Sequence, residues 1–428
     1  MNRKEFLKKA AIGGVVLPSF LNGISLKALA GTPLMNALNG YMNDDRVLVI
    51  IQLAGGNDGL NTVIPFDQYS NYTAARPNIA LPEDKVLRLN GFDGTALHPA
   101  LKEMQALFND GKLGIVQGVS YPKPNFSHFR ATDIWMTSSD SDKIVSTGWA
   151  GRYLNNLYPE FPNNYPNKSM PDPLAIQVGS VVSTTFQGPA FTMGLAISNP
   201  NSFYNLIEGK VNVDSPTRWG EQLDYIEEVG IKTDQYASVI KQAALKVTKQ
   251  SDKYPAQGKN SLADQLKIVA RLIAGGLRTK VYMVNIGSFD THAKQVEDAD
   301  RTTGNHAKLW QKVSEGINAF MDDIKYLNVA DRVMGMTFSE FGRRIKSNAS
   351  GGTDHGVAAP LFYFGHNVKG GIIGNNPTIP AIATVNDNVP MQHDFRSVYT
   401  SVLQNWFYLQ PADVQNVLMG QYPVLQMV

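Results

Sequence analysis

Between Arg46 and Leu53 the chain is apolar at every position except the first residue and Gln52. Such a run is typical of a strand buried on both faces, at the centre of a parallel sheet that helices cover on each side. Four further apolar runs follow, and segments of helical periodicity separate the first four of the five runs, which favours strand–helix–strand units with right-handed crossovers. The sequence therefore predicts an α/β fold with a doubly wound, mostly parallel sheet flanked by helices, whose strands lie at residues 46–53, 113–119, 280–286, 333–338 and 360–364.

A single domain, residues 31–428, holds this sheet in our interpretation. Helical periodicity predicts its main helices at 97–109, 262–277, 306–327 and 394–409. Residues 155–255 differ in composition from the rest of the domain, because they are rich in proline, asparagine, serine and glycine. We predict that this stretch is a cap inserted into the domain, where it shapes the access of a substrate.

The first thirty residues are predicted to be an export signal. They combine a basic start (Met1–Lys9), a short apolar stretch and the sequence Ala28-Leu29-Ala30. The start, with Arg3 and Lys4, also resembles a twin-arginine signal. The apolar stretch is too short to span a bilayer, so the sequence predicts no transmembrane segment. We expect an exported protein, periplasmic or extracellular, that meets the export machinery through residues 1–30.

The net charge and the absence of cysteine exclude several classes of function. Residues 1–30 carry five basic residues and one acidic residue, so the overall formal charge of +2 becomes −2 without them. A chain with this balance lacks the basic footprint of a nucleic-acid-binding protein. Because the sequence contains no cysteine, disulfides, thiolate metal ligands and cysteine nucleophiles are excluded.

Polar residues stand where the predicted strands end. The segment 352–356, Gly-Thr-Asp-His-Gly, lies just before the last apolar run, and its glycines let the backbone approach closely. Because open α/β sheets bind ligands beyond the carboxyl ends of their strands, we expect these side chains to share one crevice. Carboxylates with imidazoles suit zinc or manganese, and carboxylates alone suit magnesium or calcium, so we predict one or two divalent ions. The predicted ligands are Asp58, Asp290, His292, Glu340, Asp354 and His355.

Three further residues are candidates for catalysis. Ser127 opens a predicted helix, and a hydroxyl beside a metal ion is a nucleophile that coordination activates. Arg130 and Arg343 would offset the charge of a transferred group. These motifs also have a structural interpretation, in which Ser127 caps a helix and the acidic residues form turns or salt-bridged strand ends.

Six motifs, in this order, resemble an exported bacterial family known as domain of unknown function 1501. The likeness covers residues 46–409 apart from the predicted cap, and the motifs are GGNDGLN, NFSHF, FDTHAKQ, SEFGRR, GTDHG and DFRSVY. That family is considered to be related to the alkaline phosphatase and sulfatase superfamily. The resemblance implies a doubly wound sheet that carries a site for one or two metal ions.

The superfamily pattern also implies roles for particular residues. Asp58 and His355 would be metal ligands, and Ser127 would be the nucleophile. Phe341, which follows Glu340, stands where the pattern implies a histidine ligand. No cysteine is present to become formylglycine, so a sulfatase of the cysteine type is excluded.

We therefore predict an exported, metal-dependent hydrolase of phosphate or sulfate esters, whose substrate is a small molecule or a glycan. The metal would polarise the ester oxygen and lower the pKa of Ser127 or of a water. Two alternatives stay open. One is a non-catalytic envelope protein that binds a glycan, lipid or protein partner in the same crevice. The other is a metal-dependent protein of envelope assembly that hydrolyses nothing.

Overall fold

The computed structural model describes residues 45–179, 181–197 and 236–428, together with two short strands, Phe20–Leu21 and Ile24–Ser25, which pair antiparallel with each other. Apart from these four residues, the predicted export signal lies outside the described residues. Among the described helices, none has both the length and the apolar character that crossing a bilayer requires.

Fourteen further strands, eight α-helices and the helical residues 236–246 form the described fold. The strands are β1 (Val47–Leu53), β2 (Val63–Pro65), β3 (Leu87–Leu89), β4 (Phe92–Leu97), β5 (Leu113–Ser120), β6 (Ala175–Val178), β7 (Gly194–Ile197), β8 (Val281–Ile286), β9 (Val333–Phe338), β10 (Gly342–Ser347), β11 (Thr353–Gly356), β12 (Ala359–Gly365), β13 (Gly371–Ile373) and β14 (His393–Asp394). The helices are α1 (Tyr69–Ala75), α2 (Lys102–Asn109), α3 (His128–Thr137), α4 (Trp149–Leu157), α5 (Ser261–Ala274), α6 (Asn305–Tyr326), α7 (Phe395–Ser401), which a π-helical turn (Val402–Trp406) continues, and α8 (Pro411–Leu418).

Nine of the strands form the central sheet, in the order β13-β5-β12-β9-β1-β8-β6-β7, with β14 also paired to β5. All neighbouring pairs are parallel except those of β12, which runs antiparallel to both β9 and β5. The five predicted strands all lie in this sheet, and the predicted fold class is confirmed. The single antiparallel strand matters for the site, because its amino-terminal end lies at the edge where the parallel strands have their carboxyl ends.

Helices cover both faces of the sheet, as a doubly wound fold requires. The two faces of β1 show this directly, because Val47, Val49 and Ile51 belong to one core and Leu48 and Ile50 belong to the other. Helices α2, α5 and α6 pack on the first face, whereas α3, α4, α7 and α8 pack on the second. Every residue of β1 except Gln52 is buried, which explains the nearly continuous apolar run in the sequence.

Part of the stretch predicted as a cap, residues 155–255, belongs to the central sheet. Strands β6 and β7 extend the sheet beyond β8, and all four residues of β6 are buried. The two strands are only four residues long, and segments rich in proline and glycine flank them, so their apolar signal is weak. The rest of the prediction falls on the described residues 155–174, 179, 181–193 and 236–255 and on residues outside the described part of the chain.

Two small sheets accompany the central one. Strands β2, β4 and β3 form an antiparallel sheet in that order, and β10 pairs with β11 as an antiparallel hairpin. The hairpin places Arg343 opposite His355. Helix α2 begins at Lys102 and not at residue 97, because β4 continues through Leu97.

Candidate metal centre

Polar residues from five segments meet at one edge of the central sheet. Three of these segments follow the carboxyl ends of the parallel strands β1, β8 and β9. The fourth is the β10–β11 hairpin, whose residue His355 lies just before the amino-terminal end of the antiparallel strand β12. Helix α3 begins at His128 beside them. This geometry is the crevice position in which open α/β sheets bind ligands.

Three side-chain atoms form a small triangle at this edge. The Nε2 atoms of His292 and His355 lie 2.9 Å apart. Asp290 Oδ1 lies 3.1 Å from His292 Nε2 and 3.2 Å from His355 Nε2. Ligands that bind a zinc ion at about 2.0–2.2 Å are separated by about 2.9–3.5 Å in tetrahedral or octahedral geometry. The triangle therefore has the dimensions of one face of a coordination polyhedron.

The other nitrogen of each imidazole contacts an oxygen atom on the outer side. His292 Nδ1 lies 3.4 Å from Asp354 Oδ1, and His355 Nδ1 lies 3.0 Å from the carbonyl oxygen of Phe126. Because these oxygens only accept hydrogen bonds, a proton on each Nδ1 would satisfy them and would leave each Nε2 with a lone pair for a metal ion. Metal-binding histidines typically donate their second N–H to a carboxylate or a carbonyl in this way. In that protonation state the two lone pairs, 2.9 Å apart, would repel each other, and a cation between them and Asp290 would remove the repulsion.

His128 is a third histidine of the same kind, which the sequence prediction did not include. Its Nδ1 lies 2.8 Å from Glu340 Oε1, and its Nε2 lies 3.5 Å from Asp290 Oδ2. Together with Asp290 and His355, His128 offers ligand atoms that all lie within 4.8 Å of one another. The sequence feature that could have identified His128 is its position in the motif NFSHF, directly after the predicted nucleophile Ser127.

Glu340 and Asp354 take a different position from the one predicted. Both carboxylates accept a hydrogen bond from an imidazole Nδ1, so they lie behind the histidines and not within the triangle. Glu340 is buried, and its Oε1 also accepts the backbone N–H of Gly55. Asn348 donates to Asp354, and this hydrogen bond lowers the pKa of the Asp354 carboxyl.

Arg343 holds Asp290 in place. It is fully buried, and its Nη2 donates to Asp290 Oδ1 at 2.6 Å. Burial alone would raise the pKa of Asp290, but the hydrogen bond and the positive charge of Arg343 outweigh burial and keep that pKa below its usual value. Burial, reinforced by the charge of Arg343, lowers the pKa of His355 and so favours the neutral imidazole that a metal ion requires. The remaining N–H groups of Arg343 donate to the carbonyl oxygens of Gly55, Gly56, Phe289 and Thr353, so it does not reach the crevice as predicted.

The floor of the site is aromatic. Phe341, buried after β9, packs against the imidazoles of His128 and His355 with ring centroids 4.9 and 4.4 Å apart. Packing against Phe341 therefore restricts the orientation of the His128 and His355 rings. Gly55, with φ of +126°, lets the chain pass so close to Asp290 that a Cβ atom would lie 2.3 Å from the backbone nitrogen of Asp290.

Asp58 lies apart from this cluster, in a buried ion pair. Arg76 Nη1 contacts Asp58 Oδ2 at 2.6 Å, and both side chains are 0% exposed. Gln295 donates to the same oxygen. Burial alone would raise the pKa of Asp58, but Arg76 outweighs it and lowers that pKa. Arg76 also donates to the carbonyl oxygens of Arg344 and Ile345, so the pair anchors the β10–β11 hairpin.

The structure places two predicted catalytic residues at the periphery. Ser127 is exposed at the start of α3, and its side chain makes no capping hydrogen bond. Arg130 pairs with Asp133 and donates to carbonyl oxygens of residues 140, 141 and 143. The guanidinium of Arg130 is therefore used to hold the chain after α3.

Two cavities adjoin the cluster. The one that we call the apolar cavity has a volume of about 480 Å³, and its lining includes His128, Phe129, Met136, Thr184, Asp290 and Glu340. The polar cavity has a volume of about 440 Å³, and its lining includes Phe126, His292, Arg344, Asp354, His355 and Asn386. Asp290 and His128 face the first cavity, and the histidines of the triangle face the second.

A comparison with protein families supports the resemblance that the motifs indicate. The model of the family described as Protein of unknown function (DUF1501) matches residues 233–414. This region contains the triangle, Arg343 and the β10–β11 hairpin, whereas His128 and Asp58 lie before it. Among curated proteins, no sequence matches this chain.

Three solved structures similar to this chain are a protein of the alkaline phosphatase superfamily, an alkaline phosphatase and a sulfatase. One is a protein in the alkaline phosphatase superfamily from Vibrio parahaemolyticus, with 12% identity and a TM-score of 0.34 over 78% of this chain and 62% of that chain. Another is the alkaline phosphatase from the Antarctic bacterium TAB5, with 10% identity and a TM-score of 0.31 over 87% of this chain and 98% of that chain. A third is the PsFucS1 sulfatase from Pseudoalteromonas sp., with 10% identity and a TM-score of 0.36 over 92% of this chain and 73% of that chain.

Proposed function

We propose that this protein is an exported, metal-dependent hydrolase of phosphate or sulfate esters. The observation that carries the proposal is the triangle of Asp290 Oδ1, His292 Nε2 and His355 Nε2, whose edges are 2.9 to 3.2 Å. These three residues would hold a zinc or manganese ion, since their donor set of two imidazoles and one carboxylate is that of a catalytic zinc site. Export is supported by the basic, apolar and Ala28-Leu29-Ala30 zones of residues 1–30.

When bound, such an ion supplies Lewis-acid activation of the ester oxygen and a lowered pKa for water. The chain itself supplies proton transfer. His128 donates its Nδ1–H to the buried carboxylate of Glu340, which leaves Nε2 free to accept a proton on the side of the apolar cavity. The negative charge of Glu340 stabilises the imidazolium that then forms, as a carboxylate partner does in other His-based sites.

Two experiments test the proposal on the purified protein. Zinc content after incubation with zinc and dialysis should approach one ion per chain, and aryl phosphates or aryl sulfates should be hydrolysed. His355→Ala should lose both properties, whereas His366→Gln, a histidine in the loop after β12, should keep both. His128→Gln should keep the zinc and lower turnover by about 100-fold or more, the usual contribution of a general base. A parent protein that binds no divalent ion would refute the proposal.

A second candidate function is an anion-binding envelope protein without hydrolysis. The exposed position of Ser127, which lines neither of the two cavities, favours it, because the predicted nucleophile is then unavailable. The two functions differ in one result. A protein that binds zinc and inorganic phosphate but hydrolyses no phosphate or sulfate ester is a binding protein, and one that turns over such esters is a hydrolase.

A further inference from the structure

We propose that the substrate spans the two cavities, with its anionic group held by Arg344 in the polar cavity and a sugar ring stacked on Phe129 in the apolar cavity. This inference rests on the proposed function, since it places the ester beside Asp290, His292 and His355. It goes further by naming the residue that recognises the anion and the chemical class of the alcohol.

An anionic substrate group needs an arginine whose N–H groups are not all donated to other parts of the protein. Arg343 is fully buried and donates to one carboxylate and four carbonyl oxygens. Arg130 is held by Asp133 and by carbonyl oxygens after α3. Neither guanidinium therefore has donors directed at the crevice.

Arg344 lines the polar cavity and, among the described residues, keeps one donor nitrogen without a partner. Its Nε donates to the carbonyl oxygen of His355 and its Nη1 donates to Val385 and Asn386. In the described part of the chain, its Nη2 has no hydrogen-bond partner. These contacts fix the guanidinium in the wall of the polar cavity, which the imidazoles of His292 and His355 also line. A planar guanidinium held in this way is suited to the oxygens of a phosphate or sulfate group.

The apolar cavity has the mixed lining that carbohydrates require. Phe129 is 90% exposed, which is unusual for so large an apolar side chain, and it lies at the cavity with Met136. Thr132, Thr184 and Ser288, whose side chains carry hydroxyl groups, line the same space. A sugar ring offers one face of C–H groups to an aromatic ring and hydroxyl groups at its edge, so it matches both parts of this lining. A plain alkyl chain would leave the hydroxyl groups unused.

The charge of Arg344 is tested by calorimetric titration of inorganic phosphate into the zinc-loaded full chain. Arg344→Met should weaken phosphate binding by about 10- to 100-fold, the usual value of a charge-assisted hydrogen bond. Arg344→Lys should lose less, because the charge is kept. Zinc content should be unchanged in both variants, which separates anion recognition from metal binding. An Arg344→Met variant that binds phosphate like the parent, or a zinc-loaded parent that binds no phosphate, would overturn this half of the proposal.

The sugar is tested by comparing a hexose phosphate with methyl phosphate in the same titration. The parent should bind the hexose phosphate more tightly, and Phe129→Ala should reduce that preference about five- to tenfold while leaving inorganic phosphate binding unchanged. Equal affinity of the parent for both esters, or a preference that survives Phe129→Ala, would contradict the assignment. These titrations measure binding alone, so they judge the proposal even if the parent hydrolyses no ester and the proposed hydrolase function fails.

Discussion

Asp58→Asn is the substitution for which the sequence and the structure predict different outcomes. The sequence pattern makes Asp58 a metal ligand, whereas the structure buries it in an ion pair with Arg76, with 0% exposure of either side chain and 2.6 Å between Nη1 and Oδ2. Removing one partner of a buried pair costs about 3–5 kcal/mol, because the other charge stays buried and uncompensated. The asparagine keeps an oxygen that accepts one hydrogen bond, so we expect the lower end, about 3 kcal/mol.

Urea denaturation with EDTA and with excess zinc measures this effect. Asp58→Asn should lower the free energy of unfolding by the same amount in both conditions and should leave the zinc content unchanged. Asp84→Asn is the control, because its ion pair with Lys85 is exposed and should contribute nothing measurable. The reasoning is refuted if Asp58→Asn matches the parent in EDTA and loses only the extra stability that zinc provides.

Two further predictions concern burial and backbone geometry. Burial lowers the pKa of His306 from 6.5 to about 4, so the unfolded chain takes up a proton between these pH values that the folded protein does not. The stability that neutral His306 provides is therefore complete above pH 6.5 and falls by about 3 kcal/mol as the pH drops to 4. The free energy of unfolding, measured by urea denaturation at several pH values, should depend on pH less steeply in His306→Gln, by the equivalent of one bound proton. An unchanged pH dependence in His306→Gln would contradict the burial argument. Gly55→Ala should lower the melting temperature more than Gly91→Ala. Both glycines have positive φ, but only at residue 55 would the added Cβ meet backbone atoms, at 2.3 Å from the backbone nitrogen of Asp290. Equal losses of melting temperature would show that the positive φ alone decides the effect.

The strands of the central sheet were predictable because burial on both faces leaves a nearly continuous apolar run. The direction of β12 was not, since its antiparallel pairing depends on the β10–β11 hairpin that precedes it, and the hairpin has few apolar residues. Strands β6 and β7 were missed for a related reason. Four residues give too short a pattern to separate a strand from an apolar stretch of a loop.

The position of the site at the edge of the sheet was predictable from the sequence, but the role of each residue in it was less so. Asp290, His292 and His355 come together because strand ends meet at one edge of the sheet. The sequence does not determine which nitrogen of a histidine faces a carboxylate, so the positions of Glu340 and Asp354 behind the imidazoles required the structure.

Asp58 illustrates a second limit. It stands at the end of β1, as the predicted ligand should, but its partner is a residue that α1 brings back to it. Such a contact depends on how the helix packs, and nothing in the residues next to Asp58 indicates it. A carboxylate at a strand end is therefore equally compatible with a metal ion and with a buried arginine.

The central claim is that Asp290, His292 and His355 bind one metal ion. Anomalous diffraction at the zinc absorption edge, measured on crystals of the zinc-loaded protein, tests it most directly. We predict a single strong anomalous peak in contact with Asp290 Oδ1, His292 Nε2 and His355 Nε2, which is lost in His355→Ala and kept in His366→Gln. A map without a peak at the triangle, or with its peak at Asp58, would contradict the account.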